Sequence, residues 1–194
     1  MKDVGIVVAT YGDAKWRAVA YRALGSVSNQ TAIDKCDIAR VHGDSLHEAR
    51  NAGAEQVDAE RLIFLDADDE LHPEYVEKML EADGDIRRPA TLGVVDGRPD
   101  DYAVMIPERN IFESNYIVIG AMCEKDAFMD VGGFEDYPAL EDWDLWLKLI
   151  RNGASVVEVP EAIYMVHVSQ NSRNANIKAH HDAYRRIKKK HNVH

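Results

Sequence analysis

Three short apolar segments near the start of the chain, each followed by a helical pattern, constrain the fold most. Residues 4–9 (VGIVVA) are typical of a strand buried on both faces, and residues 37–42 and 61–65 form two further strand-like segments. Residues 15–27 place apolar side chains at helical spacing. Strands that alternate with helices in this way predict a parallel sheet with helices on its faces.

Two further helix starts are marked by particular residues. Ser45 and Glu48 have the spacing of a capping box, which predicts a helix that begins after Ser45. Pro73 fits the first position of another helix. The inner face of that helix would consist of Val76, Met79 and Leu80.

The region after residue 83 has weaker patterns. Turn signals at 96–99 (DGRP) predict short flanking strands near 90–95 and 103–107. Residues 116–122 (YIVIGAM) form a strand-like run.

The last third of the chain has clearer signals. Residues 141–151 predict a helix that ends at an Asn-Gly pair. Residues 155–159 and 162–167 predict two strands, and residues 175–190 predict a closing basic helix. One face of the helix at 141–151 would carry Trp143, Trp146, Leu147 and Ile150.

Size and composition narrow the class of protein. A chain of 194 residues and 21.8 kDa favours one domain, and no apolar run approaches the roughly 18 residues of a membrane-spanning helix. The two cysteines, Cys36 and Cys123, lie far apart, which disfavours a zinc knuckle and a disulfide framework. The first residues lack the pattern of a signal peptide, so a cytoplasmic location is expected.

The distribution of charge along the chain indicates which classes of partner the protein can bind. The chain has 23 basic and 34 acidic residues, a net charge of -11, yet residues 178–194 are basic. The acidic remainder is unsuited to duplex nucleic acid, and a phosphorylated ligand would need a cation beside it. The basic C-terminus either makes weak peripheral contact with an anionic membrane or an acidic acceptor, or is the solvated face of an amphipathic helix.

An acidic cluster follows the third predicted strand, in residues 65–69 (LDADD). Ligands of open α/β sheets bind beyond the carboxyl ends of the strands, where these aspartates would lie. Three carboxylates so close together repel one another unless a cation joins them, and hard divalent cations prefer oxygen ligands. The alternative is a solvated acidic loop that caps the next helix.

Two familiar ligand motifs are absent from the sequence. An EF-hand loop would need glycine where Leu71 stands. The glycine-rich phosphate loops GxxxxGK[ST] and GxGxxG do not occur. A bound diphosphate would therefore be held by a metal rather than by a glycine loop.

Five sequence blocks in order resemble family 2 glycosyltransferases of the GT-A fold. The family's first strand ends in PTY, its ARNxG helix precedes hhhLDADD, and vGGFdE, EDxDLWLR and YRxH elements follow. The corresponding blocks here are GIVVATY (5–11), HEARNAG with LIFLDADD (47–69), VGGFE (131–135), LEDWDLWL (140–147) and YMVH (164–167). The resemblance implies a GT-A type nucleotide-diphospho-sugar transferase fold, with a mixed, mostly parallel sheet flanked by helices.

The resemblance implies a donor site at the ends of the first strands. Thr10 and Tyr11 would line the nucleotide pocket, and Arg50 would lie near the nucleotide. Asp44 would match the acid that contacts the base or ribose, although the usual DDGSxD is reduced here to GDS. Asp66 would serve both the donor and the metal.

The resemblance also implies a metal site and a catalytic base. Asp66 and Asp68 would form the DxD pair that binds Mn²⁺ or Mg²⁺, with Asp68 in direct contact, and His167 would complete the site. Asp142 would match the catalytic base, with Glu141 beside it.

Several of these residues have simpler interpretations. Arg50 could form a surface ion pair, and His167 could be an ordinary core or surface histidine. Glu141 and Asp142 lie where a predicted helix begins, a position that favours acids in any helix. The two tryptophans that follow are either core residues or a platform for a sugar. Thr10 and Tyr11 could simply end a strand.

The implied function is a metal-dependent, inverting transfer of a hexose from a nucleotide-diphosphate sugar to an acceptor hydroxyl. A UDP-sugar is the expected donor, and the acceptor would be a glycan, a lipid-linked molecule or a protein. One alternative is a catalytically silent module that binds nucleotide sugars or carbohydrates. A haloacid-dehalogenase-type phosphatase is less favoured, because Glu70 replaces the usual Thr or Val and the motif comes late in the chain.

The same interpretation divides the chain within one domain, residues 1–194. Residues 1–82 would form the nucleotide-binding half, residues 83–174 the acceptor-side half and residues 175–194 the basic C-terminal helix.

Overall fold

The structure is a computed structural model that describes residues 1–13, 15–168 and 177–193. The strands are β1 Lys2–Tyr11, β2 Cys36–Gly43, β3 Ala59–Asp66, β4 Glu70–Leu71, β5 Ile86–Val95, β6 Arg98–Pro99, β7 Met122–Glu124 and β8 Val156–Val168. The helices are α1 Lys15–Ser28, α2 Leu46–Gln56, α3 Tyr75–Glu81, α4 Lys125–Asp130, α5 Glu141–Arg151 and α6 Ile177–Lys190, with a 3-10 turn at Ile33–Lys35.

The strands form one mixed sheet in the order β2-β1-β3-β7-β5-β8-β4, and β6 pairs with β5. β1 runs parallel to both β2 and β3, and β5 runs parallel to β8. The short strand β7 joins these two parallel parts, because it pairs antiparallel with β3 and with β5. The mixed, mostly parallel sheet flanked by helices is therefore confirmed.

The first half of the chain follows its sequence patterns closely. β1, β2 and β3 contain the three predicted strands, and α1 begins at the predicted Lys15. Ser45 caps α2, since its Oγ accepts the Glu48 N–H at 3.4 Å and donates to the Glu48 carboxylate at 2.7 Å.

In the second half, helix α5 has the predicted bounds, and Gly153, with φ of 96°, follows its end.

The predicted start of α3 at Pro73 is wrong by two residues. Pro73 lies in a turn in which the Tyr75 N–H donates to the His72 carbonyl at 2.9 Å, and the helix begins at Tyr75. Val76 and Met79 are buried as predicted, and Leu80 packs against the core.

The strands predicted at 116–122 and 103–107 are largely wrong. Met122 is the one residue of the first segment that joins a strand, while residues 116–119 line a cavity. A turn closed by the Ala121 N–H and the Val118 carbonyl interrupts that run. In the second segment, Val104 forms an isolated bridge with Thr91.

The two strands predicted near the C-terminus are one continuous strand, β8. Its pairing with β5 shifts register between Pro89 and Ala90, which face Val159 and Ile163. Pro89 and Pro160 lack the N–H that a regular ladder needs, so the irregularity falls where both occur. The structure also contains β4 and α4, which the sequence patterns do not predict, and α6 spans Ile177–Lys190. Residues 175 and 176 of the predicted C-terminal helix lie outside the described residues.

Among the described helices, none combines the length and the apolar composition that crossing a bilayer requires.

Close contact between α2 and β1 depends on Gly53. A Cβ atom at this position would lie 2.3 Å from Cγ1 of Val7, a distance that real side chains do not show. Arg50 lies three residues earlier on the same buried face of α2. The absence of a side chain at Gly53 therefore sets how near Arg50 comes to the sheet.

We expect Gly53→Ala to destabilise the protein by about 1–3 kcal/mol, because overpacking outweighs the better helix propensity of alanine. The free energy of unfolding in urea measures this effect. The matched control is Gly25→Ala in α1, where a Cβ meets no atom within 4 Å, and a gain of up to about 1 kcal/mol is expected there. Equal stability of Gly53→Ala and the unmodified protein would contradict the packing argument.

Candidate active site

A cavity of about 330 Å³ lies beyond the carboxyl end of β3. One wall is apolar and comes from residues 116–119 together with Ile106, Leu140 and Val166. His180 of α6 also lines it. The polar wall consists of Arg50, Asp66, Asp69, Asn115, Glu141 and Asp142.

Arg50 is a buried ionic link across this cavity. Its side chain is 2% exposed, and its Nη1 and Nη2 donate to Glu141 at 2.7 Å and to Asp66 at 2.5 Å. Its guanidinium also lies over the Phe134 ring, 5.1 Å from the centroid. Burial opposes the charge, but the two carboxylates raise the pKa of Arg50 above its ordinary value. The ion pair is thus internal rather than superficial, and the predicted contact with a nucleotide stays a prediction.

Asp66, Asp68 and Asp69 form a compact carboxylate cluster. One oxygen from each lies within 4.8 Å of the others. Burial and the charge of Asp66 raise the pKa of Asp68 and raise that of Asp69 to about 8. Asp69 belongs to the acidic cluster that the sequence predicts to need a cation, although the resemblance implies a ligand role for Asp66 and Asp68 and not for Asp69. The mutual repulsion of these groups would be relieved by a bound cation.

His167 lies beside the carboxylate cluster with both ring nitrogens in contact with other side chains. Its Nε2 is 2.6 Å from Glu70 Oε1, and its Nδ1 is 2.8 Å from Nη1 of Arg22. Arginine has donors alone, so Nδ1 accepts and Nε2 carries the proton that it donates to Glu70. The His167 ring would have to leave one of these partners to bind a metal. Its predicted ligation stays a prediction.

Glu141 and Asp142 occupy the first turn of α5, directly after a strained residue. Leu140 has φ of 60° and ψ of 22°, in the left-handed region that costs a residue with a Cβ roughly 1–3 kcal/mol. Asp142 accepts the Trp143 N–H at 2.8 Å and Asn115 Nδ2 at 2.9 Å. Burial and the neighbouring Glu141 raise the pKa of Asp142 to about 7. A carboxylate with that pKa at the edge of a cavity has the properties of a general base.

The predicted nucleotide residues lie at the ends of β1 and β2. Thr10 is buried, and its Oγ1 is 3.0 Å from Nδ1 of His42. Thr10 and His42 line a second cavity of about 320 Å³ together with Arg17 and Arg40. Tyr11 is half-buried at the end of β1 and Asp44 is exposed just after β2. The predicted donor residues therefore fall into two places, since Arg50 and Asp66 line the cavity beyond β3.

The two tryptophans of α5 are core residues rather than an exposed platform. Trp143 and Trp146 are buried. Their indole N–H groups donate to the carbonyls of Ile111 at 2.7 Å and of Ile117 at 3.0 Å. The irregular segment 111–117, which carries Asn115, is thereby attached to α5.

Several basic side chains of α6, and His191 directly after it, contact residues of α5 and of the segment before it. Lys190 and His191 contact the fully buried Asp144 at 2.8 Å, and Arg186 lies 4.7 Å from the centre of the Tyr137 ring. Burial opposes ionisation, but the hydrogen bonds from Lys190 and His191 lower the pKa of Asp144. The interaction of α6 with α5 thus uses charges that would otherwise face solvent.

Comparisons with known proteins agree with this architecture. The family model for Glycosyl transferase family 2 matches residues 33–134, just over half of the chain. No curated protein has a significant sequence match.

Solved structures of S. aureus TarS are similar in fold. The TarS 1-349 structure with UDP-GlcNAc has a TM-score of 0.68 at 15% identity, covering 91% of this chain and 61% of that one. The structure with UDP has a TM-score of 0.68 at 17% identity, covering 96% of this chain and 64% of that one. This chain thus spans less than two thirds of the TarS 1-349 chain, and identities this low establish the fold alone. Together with the family match, which covers most of the cavity's polar wall, they lead to one conclusion: the chain belongs to glycosyl transferase family 2 and has the GT-A fold.

Proposed function

We propose that the protein transfers a sugar from a nucleotide-diphosphate sugar to an acceptor hydroxyl, with inversion and with the help of a divalent cation. The observation that carries the proposal is one cavity lined both by Asp66 and Asp69 of the carboxylate cluster and by Asp142, a carboxylate with the properties of a base. Arg50 links the two sides, because it pairs with Asp66 and with Glu141, the neighbour of Asp142. Two similar TarS structures are complexes of that protein with UDP-GlcNAc and with UDP, which supports a UDP-sugar as the donor here.

The carboxylate cluster fits a hard divalent cation. Three carboxylate oxygens within 4.8 Å of one another are the ligands that Mg²⁺ and Mn²⁺ prefer. Asp66 and Asp68 would hold the cation, and Asp69 would assist. His167 would join them through Nδ1, whose lone pair becomes available once the ring leaves Arg22. When bound, the cation would supply charge neutralisation for the departing nucleotide diphosphate.

On the acceptor side, Asp142 would take the proton of the attacking hydroxyl as that oxygen bonds to the anomeric carbon. Arg50 would hold the first turn of α5 in place through its ion pair with Glu141. The apolar wall, which includes residues 116–119, would limit water at the reacting carbon and so suppress hydrolysis of the donor. Inversion follows from a single displacement in which Asp142 acts as a base and not as a nucleophile.

The remaining parts of the proposal concern the donor and the acceptor. Thr10, Tyr11 and Asp44 would bind the nucleotide at the ends of β1 and β2, where ligands of open α/β sheets are found. The acceptor, a glycan, lipid-linked molecule or protein, would approach from the half formed by residues 83–174. Residues 1–82 would form the nucleotide half of a single domain, 1–194. The exposed Lys178, Arg185 and Lys189 would provide weak contact with an anionic membrane surface.

A thermal-shift panel of nucleotide diphosphates and nucleotide sugars, each with and without Mn²⁺, tests the donor class. A ligand that binds the native state raises the melting temperature. Hydrolysis of the stabilising nucleotide sugar would separate an enzyme from a silent binding module. No stabilisation by any member of the panel would overturn the proposal.

Replacement of the base separates catalysis from binding. We expect Asp142→Asn to lower kcat by roughly 10²–10⁴-fold while it leaves donor affinity unchanged, because the amide cannot accept the proton. In the unmodified enzyme, kcat/KM should rise with pH through about 7, since Asp142 must lose its proton to act. Initial rates over a pH series measure both effects.

The matched control for that experiment is Asp126→Asn, an exposed acid of α4 that should retain normal rates and the normal pH profile. Turnover by Asp142→Asn at the rate of the unmodified enzyme would remove the base assignment.

Replacement of Asp68 tests the metal site. We expect Asp68→Ala to weaken Mn²⁺-dependent binding of UDP by at least about tenfold, because a charged oxygen ligand is lost. Isothermal titration with UDP, with Mn²⁺ and with a chelator, measures this. Asp130→Ala, an exposed acid away from the cluster, is the control. If Asp68→Ala bound UDP and Mn²⁺ as tightly as the unmodified protein does, the cluster would not be the metal site.

A further inference from the structure

Asn115 makes a directed contact with the carboxylate assigned as the base. Its Nδ2 donates to Asp142 Oδ2 at 2.9 Å, and its Oδ1 accepts the Ile117 N–H at 3.1 Å. The second contact decides which end of the amide faces Asp142, because a backbone N–H needs the oxygen and leaves the NH₂ group for the carboxylate.

The position of Asn115 is determined by the same helix that carries Asp142. The indole N–H groups of Trp143 and Trp146 hold the carbonyls of Ile111 and Ile117, on either side of Asn115. Asn115 and Asp142 are thus fixed relative to one another through α5. Both side chains line the cavity.

The hydrogen bonds to Asp142 leave it able to accept a proton. Asn115 and the Trp143 N–H each donate to a different carboxylate oxygen. An ionised carboxylate oxygen has two lone pairs, so each retains one for an acceptor hydroxyl. Donors to a carboxylate favour its charged form.

From this geometry we propose that Asn115 is a positioning residue that orients Asp142 and keeps it ionised for proton removal from the acceptor. The inference rests on the proposed function, in which Asp142 is the base. The burial of Asp142 and the neighbouring carboxylates favour its protonated form, and the hydrogen bond from Asn115 opposes this effect. The charged and titratable groups that line the same cavity as Asp142 are Glu141 beside it, Arg50 of α2, Asp66 at the end of β3, Asp69 just before β4, Tyr116, and His180 of α6.

The experiment measures the titration of Asp142 directly, without substrate, by carbon NMR of the aspartate carboxyl groups in the full chain. The resonance is assigned by its loss in Asp142→Asn. In Asn115→Ala the midpoint should rise by about one pH unit, because the charged form loses a donor. Asn115→Asp, which keeps the side-chain shape, should raise it further through like-charge repulsion.

Asn110→Ala is the matched control. Asn110 directly precedes the segment 111–117, and its Oδ1 accepts the Phe112 N–H at 3.1 Å, while its Nδ2 donates to Glu113 rather than to Asp142. Its replacement should leave the Asp142 midpoint unchanged. An unchanged midpoint in both folded Asn115 variants would overturn the inference.

Kinetics then link the titration to turnover. Below pH 7, Asn115→Ala should lower kcat by roughly tenfold to a hundredfold with an unchanged KM for the donor, and its acid limb should move to higher pH. Full activity of Asp142→Asn would remove the base assignment and leave the NMR result standing. An inactive Asp142→Asn together with a normal pH profile in Asn115→Ala would overturn the role of Asn115 alone.

Discussion

The ion pairs of Arg50 hold the active site together. One buried guanidinium joins Asp66, at the end of a central strand, to Glu141, at the start of α5. Removal of one member of a buried ion pair costs roughly 3–5 kcal/mol, because the remaining charge stays buried without its partner. The carboxylate cluster and the first turn of α5, which carries the base, are therefore fixed relative to each other by an interaction whose loss would strongly destabilise the fold. Gly53, on the same buried face of α2 as Arg50, allows that helix to pack closely against β1.

Position along a single helix gives two aspartates opposite properties. Asp142 and Asp144 are separated by one residue in α5, yet the pKa of Asp142 is raised and that of Asp144 is lowered. Asp144 is fully buried and Asp142 is half-buried, so burial alone does not explain why the pKa of Asp144 is the lower one. Asp144 receives Lys190 and His191, whereas Asp142 receives neutral donors and faces Glu141. The helix thus carries one carboxylate suited to proton transfer and one suited to permanent ionisation.

Local patterns predicted the parts of the fold that depend on local interactions. The first three strands, the Ser45 cap and the bounds of α5 follow from periodicity and end signals within a few residues. The segment 116–122 has strand-like composition, but its apolar side chains line a cavity instead of pairing in a sheet. The strand with which a segment pairs depends on contacts that are distant in sequence. The same holds for the shift in register between β5 and β8 near Pro160.

The residues of the site also fall into two groups, those that the sequence indicates and those that depend on contacts distant in sequence. The resemblance to a known family singled out Arg50, Asp66, Glu141 and Asp142, which the structure brings to one cavity. It did not indicate Asn115, whose role depends on two indole contacts that bring an irregular segment to α5. Nor did it indicate that the His167 ring lies between Arg22 and Glu70, which come from two other elements.

The contacts of Asp144 have a consequence for the cooperativity of unfolding. If α6 detached, a carboxylate with no solvent exposure would lose Lys190 and His191 while α5 stayed folded around it. Such an intermediate would leave Asp144 with Lys148 of α5, 3.6 Å away, in place of three basic partners, and is therefore sparsely populated. The C-terminal helix and the helix that carries the base should open as one unit in hydrogen exchange, although frayed ends usually open first.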